Sequence, residues 1–217
     1  MLKIGDRQIK RAVIVDDDSN ARDSHEFLIR DMNLTPYKVN EVRNGNLQSF
    51  FDKIQPSDAI LCDFHLKKRD YAQRNGDWVM WRCFQEGIPG ALCTSIHEAP
   101  IRRDYLRYIP GLLRKVDPSP DELRLAWTKC IEELAGEPQP SRRPWRTLVR
   151  VGDVDKKRKC FYAVVPAWNA RVKVRIDLDN LPENIRKLVK PDHRFHALVN
   201  TGAMDSADLY FDEWEEK

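Results

Sequence analysis

Asp16, Asp17 and Asp63 are the residues of this chain best placed to do chemistry, because each follows an apolar run. Ala12-Val13-Ile14-Val15 leads into Asp16-Asp17-Asp18, and Ala59-Ile60-Leu61-Cys62 leads into Asp63. A third run, Gly90-Ala91-Leu92-Cys93, leads into Thr94-Ser95, and a fourth, Leu112-Leu113-Arg114, into Lys115. Short apolar runs bounded by polar residues read as buried strands. In an open α/β sheet the functional crevice lies at the carboxyl ends of the strands. Three acids, a hydroxyl and a lysine therefore converge on one rim. That set can hold a divalent cation and accept a phosphoryl group.

The elements that must carry these residues alternate between strand and helix over the first 136 residues, which predicts a doubly wound, flavodoxin-like, five-stranded parallel sheet. Strands are expected at 11–15, 37–42, 59–63, 90–94 and 112–115. Ser19 is read as the cap of a helix carrying Ala21, Phe27, Leu28 and Met32. Further helices are expected at 47–54, around Trp78, Val79, Cys83 and Phe84, and at 101–108. A long polar stretch, 67–75, separates Asp63 from the third helix; it is either a partner-selecting insertion or a plain surface loop. Ser119-Pro120-Asp121-Glu122 is a capping box with proline at the first helical position, so a helix starts there and runs to Gly136.

The N-terminal half, about residues 10–135, resembles the receiver domain of two-component response regulators. The resemblance rests on five positions falling in order at strand ends. Asp16 and Asp17 match the family's acidic pair, Asp63 its phosphoacceptor, Thr94 its switch hydroxyl and Lys115 its phosphoryl-stabilising lysine. The resemblance implies Mg²⁺ held by Asp17, Asp63 and the backbone carbonyl of His65, with Asp16 acting largely through water. It implies a histidine kinase or phosphotransfer protein as phosphoryl donor, and a phosphorylation-dependent change in dimerisation or in the C-terminal domain's binding. Two positions depart from the pattern: Val116 follows the lysine where proline is common, and Leu112 stands where many members carry an aromatic switch residue. A receiver-like scaffold that is not phosphorylated is the alternative reading.

Residues 137–145, Glu137-Pro138-Gln139-Pro140-Ser141-Arg142-Arg143-Pro144-Trp145, form a linker by composition. Beyond it, at 146–217, the apolar period changes to alternation. Strands are expected at 148–151, 161–165, 171–178, 194–199 and 209–211, with a short helix bearing Ile185, Leu188 and Val189. Three strands, a helix and two strands is the element order of an OB-type barrel, with an SH3-like barrel as the alternative. Arg171, Lys173 and Arg175 share one strand face, and with Trp168 they are candidate contacts for nucleic acid or for a protein. The acidic end, Asp212-Glu213-Trp214-Glu215-Glu216, is expected to be a docking peptide anchored by Trp214 or a cover for the basic face. No helix-turn-helix, nucleophilic-serine or Gly-rich phosphate-loop motif is present, so neither a DNA-reading helix nor an output enzyme is expected.

The totals agree with this picture. At 217 residues and 41% hydrophobic the chain has room for one large domain or two small ones. Residues 1–140 carry 21 Lys+Arg against 22 Asp+Glu, and residues 141–217 carry 16 against 12, so the cationic excess is C-terminal. The five cysteines are odd in number and never in CxxC spacing, which suits small buried thiols in a reducing compartment. No signal peptide and no membrane-length apolar run is visible. A cytoplasmic location is the expectation.

Overall fold

The structure, a computed structural model, describes residues 1–40, 48–67, 71–95, 100–114 and 117–217. Its contacts divide the chain into two compact units, Met1–Pro100 with Tyr108–Glu137, and Ile101–Arg107 with Pro138–Lys217. The seven-residue segment Ile101–Arg107 thus belongs with the C-terminal unit, although it lies in sequence among strands of the first.

The N-terminal unit opens with a hairpin, β1 (Leu2–Ile4) and β2 (Arg7–Ile9), turned at Gly5 with φ +56°. The alternation at this end went unread in the sequence because each strand has only three residues. Then follow β3 (Arg11–Val15), α1 (Ser19–Asp31), β4 (Thr35–Lys38), α2 (Gln48–Phe51), β5 (Asp58–Asp63), α3 (Gly76–Gln85) and β6 (Gly90–Cys93). The helical turn α4 (Arg103–Leu106) precedes β7 (Leu112–Leu113) and α5 (Pro120–Leu134). The sheet is five-stranded and parallel in the order β4-β3-β5-β6-β7. That is the flavodoxin-like doubly wound order, which leaves its crevice beside β3 and β5. Ala12–Val15, Ala59–Cys62 and Ala91–Cys93 are buried, as central strands covered on both faces must be.

Several boundaries differ from the sequence reading. Of the strand expected at 37–42, residues 41–42 lie outside the described residues; the described strand is Thr35–Lys38, and it tolerates Pro36 because it is an edge strand. The cap of α1 is Asp18, whose Oδ1 accepts from the Asn20 N–H at 2.8 Å, and Ser19 is already helical. The third acid of the Asp16-Asp17-Asp18 run is therefore occupied structurally. The capping box of α5 forms as expected, and its Trp127 is fully buried with the indole N–H donating to the Ile60 carbonyl at 2.9 Å.

The C-terminal unit is built on β8 (Trp145–Asp155), β9 (Cys160–Val165), α6 (Pro166–Asn169), β10 (Ala170–Asp177), α7 (Glu183–Arg186), β11 (Arg194–Val199) and β12 (Phe211–Glu216). These five strands form one antiparallel sheet in the order β10-β9-β8-β11-β12. The closed OB-type barrel expected from the sequence is not formed: among the described residues the edge strands β10 and β12 do not pair with each other. Leu181 and Ile185, with Leu188 and Val189 against them, bury the inner face instead, beside Val149, Phe161, Val174 and Phe195. The acidic end is likewise not a loose peptide. It is β12, and Trp214 packs between Phe161, Phe195 and Phe211 within that core.

All five cysteines are free and buried, and among the described residues no helix is long and apolar enough to cross a membrane.

Candidate functional site

The parallel register brings the acids together. Val15 pairs with Cys62 and Asp63 with Cys93, so the chain after β3 and the end of β5 share one rim, with Thr94 following β6 beside them. Asp16, Asp17 and Asp63 each offer a carboxylate oxygen within 4.8 Å of the others. Asp16 is the buried member. Its Oδ1 accepts from the Asp18 N–H at 2.8 Å, and Asp63 Oδ2 accepts from the His65 N–H at 2.7 Å. Burial first, and then the charges of Asp63 and Asp17, push the Asp16 carboxyl up to about 6, against the pull of the Asp18 N–H.

The floor of the site is tight. The Gly76 N–H donates to the Phe64 carbonyl at 2.9 Å, and a Cβ on Gly76 would stand 2.0 Å from the Asp63 carbonyl oxygen. Only glycine allows α3 to begin this close to the end of β5. Thr94 is 1% exposed, and its N–H donates to the Leu113 carbonyl at 3.0 Å, which ties the end of β6 to β7. Lys115 and Val116 lie outside the described residues.

Two residues that the sequence reading passed over belong to this neighbourhood. Arg22 on α1 is buried; its Nη1 donates to the Asp16 carbonyl at 2.5 Å and its guanidinium lies 5.7 Å from the centre of the Tyr71 ring. Tyr71 is buried too, and its hydroxyl donates to the Val39 carbonyl at 2.6 Å. In the polar stretch 67–75, of which 68–70 lie outside the described residues, Tyr71 and Ala72 pack inward, the Ala72 N–H donates to the Leu66 carbonyl at 2.9 Å, and Lys67, Gln73 and Arg74 are exposed. The signal for Arg22 was its spacing: with His25 and Ile29 it forms the buried stripe of α1.

The residues present fit Mg²⁺. A small cation that keeps several waters needs only one or two carboxylates from the protein, and three carboxylates at this separation, one of them with a raised proton affinity, are relieved by a divalent charge.

The other candidate residues are in the C-terminal unit. Lys173 pairs with Asp153 at 2.5 Å and Arg175 with Asp177 at 2.8 Å. Arg171 is exposed on β10. The Trp168 indole N–H donates to the Ala203 carbonyl at 2.7 Å, with the ring against the core.

No protein-family model matches the chain, and no curated protein does. Solved structures do. The response regulator StyR is similar over 59% of this chain and 62% of its own, at 15% identity and a TM-score of 0.44. A putative response regulator from Chloroflexus aurantiacus is similar over 59% of this chain and 99% of its own, at 16% identity and a TM-score of 0.43. A response regulator receiver protein from Pseudoalteromonas atlantica is similar over 58% and 97%, at 14% identity and a TM-score of 0.38. The chain spans less than two thirds of StyR. Likenesses this distant assign no chemistry to the acidic rim.

Proposed function

We propose that the N-terminal unit is a response-regulator receiver and that Asp63 is its phosphoacceptor. The observation that carries this reading is the meeting of Asp16, Asp17 and Asp63 within 4.8 Å at the carboxyl rim of a flavodoxin-like sheet. A carboxylate oxygen of Asp63 bonds to the phosphorus of a phosphohistidine on a partner kinase or phosphotransfer protein. The P–N bond breaks, its electron pair returns to the donor imidazole, and the imidazole takes up a proton. The product on this chain is an acyl phosphate. Asp17, Asp63 and the His65 carbonyl would hold Mg²⁺, which supplies positive charge where carboxylate and phosphoryl oxygens meet. Asp16 adds negative charge behind them, and Arg22 steadies its backbone. Lys115 is assigned the neutralisation of phosphoryl oxygens, and Thr94 the switch.

Phosphorylation is in turn proposed to control dimerisation or partner binding by the C-terminal unit. Thr94 leads along the chain into Ile101–Arg107, whose Arg103 donates to the Ser206 and Leu209 carbonyls at 2.6 and 2.7 Å and whose Arg107 pairs with Asp212.

Intact mass after incubation with acetyl phosphate and Mg²⁺ tests the reading. A single phosphoryl adduct is expected on the wild type, and none on Asp63→Asn or in EDTA. A folded wild-type protein without an adduct would favour the scaffold.

A further inference from the structure

The outer face of the C-terminal sheet brings like charges together without neutralising them. Arg150 on β8 and Arg194 on β11 are direct partners in the antiparallel register. Both are exposed, and among the described residues neither side chain makes an ion pair or hydrogen bond. Like charges directly opposite on a sheet destabilise it. Acids are available nearby and are used: Asp153 holds Lys173, Asp177 holds Arg175, and Glu215 holds Arg146 at 3.2 Å. The arginine pair is among the cations that this face leaves open, beside Arg171 on β10.

Its surroundings indicate the kind of ligand. Arg150 is opposite Val164 on β9, and two residues away on the same outward face of β9 stands Tyr162, half-buried and opposite Arg175. Gly152 brings no side chain to the strand beside it; a Cβ there would lie 3.0 Å from the Tyr162 carbonyl oxygen. The face therefore offers two open guanidinium groups, which suit phosphate oxygens geometrically, and one phenol edged by a bare stretch of backbone.

We propose that this face binds single-stranded nucleic acid, with Arg150 and Arg194 on the phosphodiester backbone and Tyr162 stacked on an unpaired base. Phosphates repeat at even intervals, and the two arginines are spread over a pleated surface rather than gathered in a socket. A π-face beside them rewards an unpaired base, which a duplex does not offer. The proposal does not depend on phosphoryl transfer at Asp63.

Fluorescence anisotropy of the full chain with a labelled oligo(dT) strand tests it. Wild-type protein should bind at low salt and weaken as salt rises. Arg150→Ala/Arg194→Ala should weaken binding by at least about tenfold and lower the salt slope by roughly 1.4, the share of two phosphates on a single strand. Tyr162→Leu should weaken binding by about tenfold or more with the slope unchanged. Arg194→Glu should abolish binding yet raise the melting temperature, because Arg150 gains an opposite charge. Absence of binding at low salt, or a double variant that binds like wild type, would overturn the site. A melting temperature lowered by Arg194→Glu would remove the like-charge premise. Equal affinity for a duplex of matching length would overturn the single-strand assignment, and an equal loss on polyglutamate would assign the face to an acidic peptide.

Discussion

The two ends of β3 and β5 handle charge in opposite ways. At the amino end Arg11 and Asp58 are register partners and form a two-pronged ion pair, Nε to Oδ1 at 2.9 Å and Nη2 to Oδ2 at 2.5 Å, with Asp58 fully buried. At the carboxyl end the same strands gather Asp16, Asp17 and Asp63 with like signs. One rim sets opposite charges side by side, and the other gathers three of the same sign. The difference separates a rim built for stability from the rim proposed to carry function, and the register alone would not have separated them.

The comparison can be broken most forcefully at the amino end. Arg11→Met leaves Asp58 buried without its partner and should cost about 3–5 kcal/mol in urea unfolding, while Arg11→Met/Asp58→Leu should recover most of that loss. If the single variant costs nothing, the amino rim is not the stabilising one.

Asp16→Asn should act in the opposite sense. Its carboxyl titrates near 6 in the fold, above the ordinary 3.8. A raised acid contributes fully below its unfolded value and loses that contribution as pH climbs through the folded one. In EDTA at pH 7 the asparagine variant should therefore be more stable than wild type, by up to about 3 kcal/mol. Near pH 4 the two should coincide, and Mg²⁺ should narrow the gap at pH 7. A gain independent of pH would detach Asp16 from the electrostatics of the rim.

Gly76→Ala sharpens the contrast at smaller cost. The added methyl meets the Asp63 carbonyl, so stability should fall by about 1–3 kcal/mol. Phosphoryl uptake should fall disproportionately, since the strain sits on Asp63, the proposed acceptor. Uptake kinetics compared with thermal melting would separate the two effects.

Much of the carboxyl rim could be read from sequence, because Val15, Cys62 and Cys93 each end a buried run and the next residue must emerge at the crevice. The amino rim was not read. Arg11 and Asp58 look like ordinary polar residues flanking strands until the register makes them partners. Arg150 and Arg194 were missed for the same reason, since their opposition depends on how β8 and β11 align. The strand β12 was hidden by its charges: four acids in Phe211–Glu216 mask the buried Phe211 and Trp214, and Glu213 at φ +47° breaks the alternation. The hairpin at β1 and β2 had a signal, Gly5-Asp6 between short alternating segments, and it was passed over.

The segment Ile101–Arg107 has a consequence for how the chain is made. Arg103 leaves the ribosome 103 residues ahead of Ser206, and Arg107 leaves it 105 ahead of Asp212. Until that strand emerges, these contacts of the two arginines cannot form, while β3, β5 and β6 are already able to pair. The C-terminal unit is therefore finished last, and it is finished with a piece of chain synthesised before the linker. A protein cut at residue 137 would separate the sequence into halves but would leave one of its two bodies without a part.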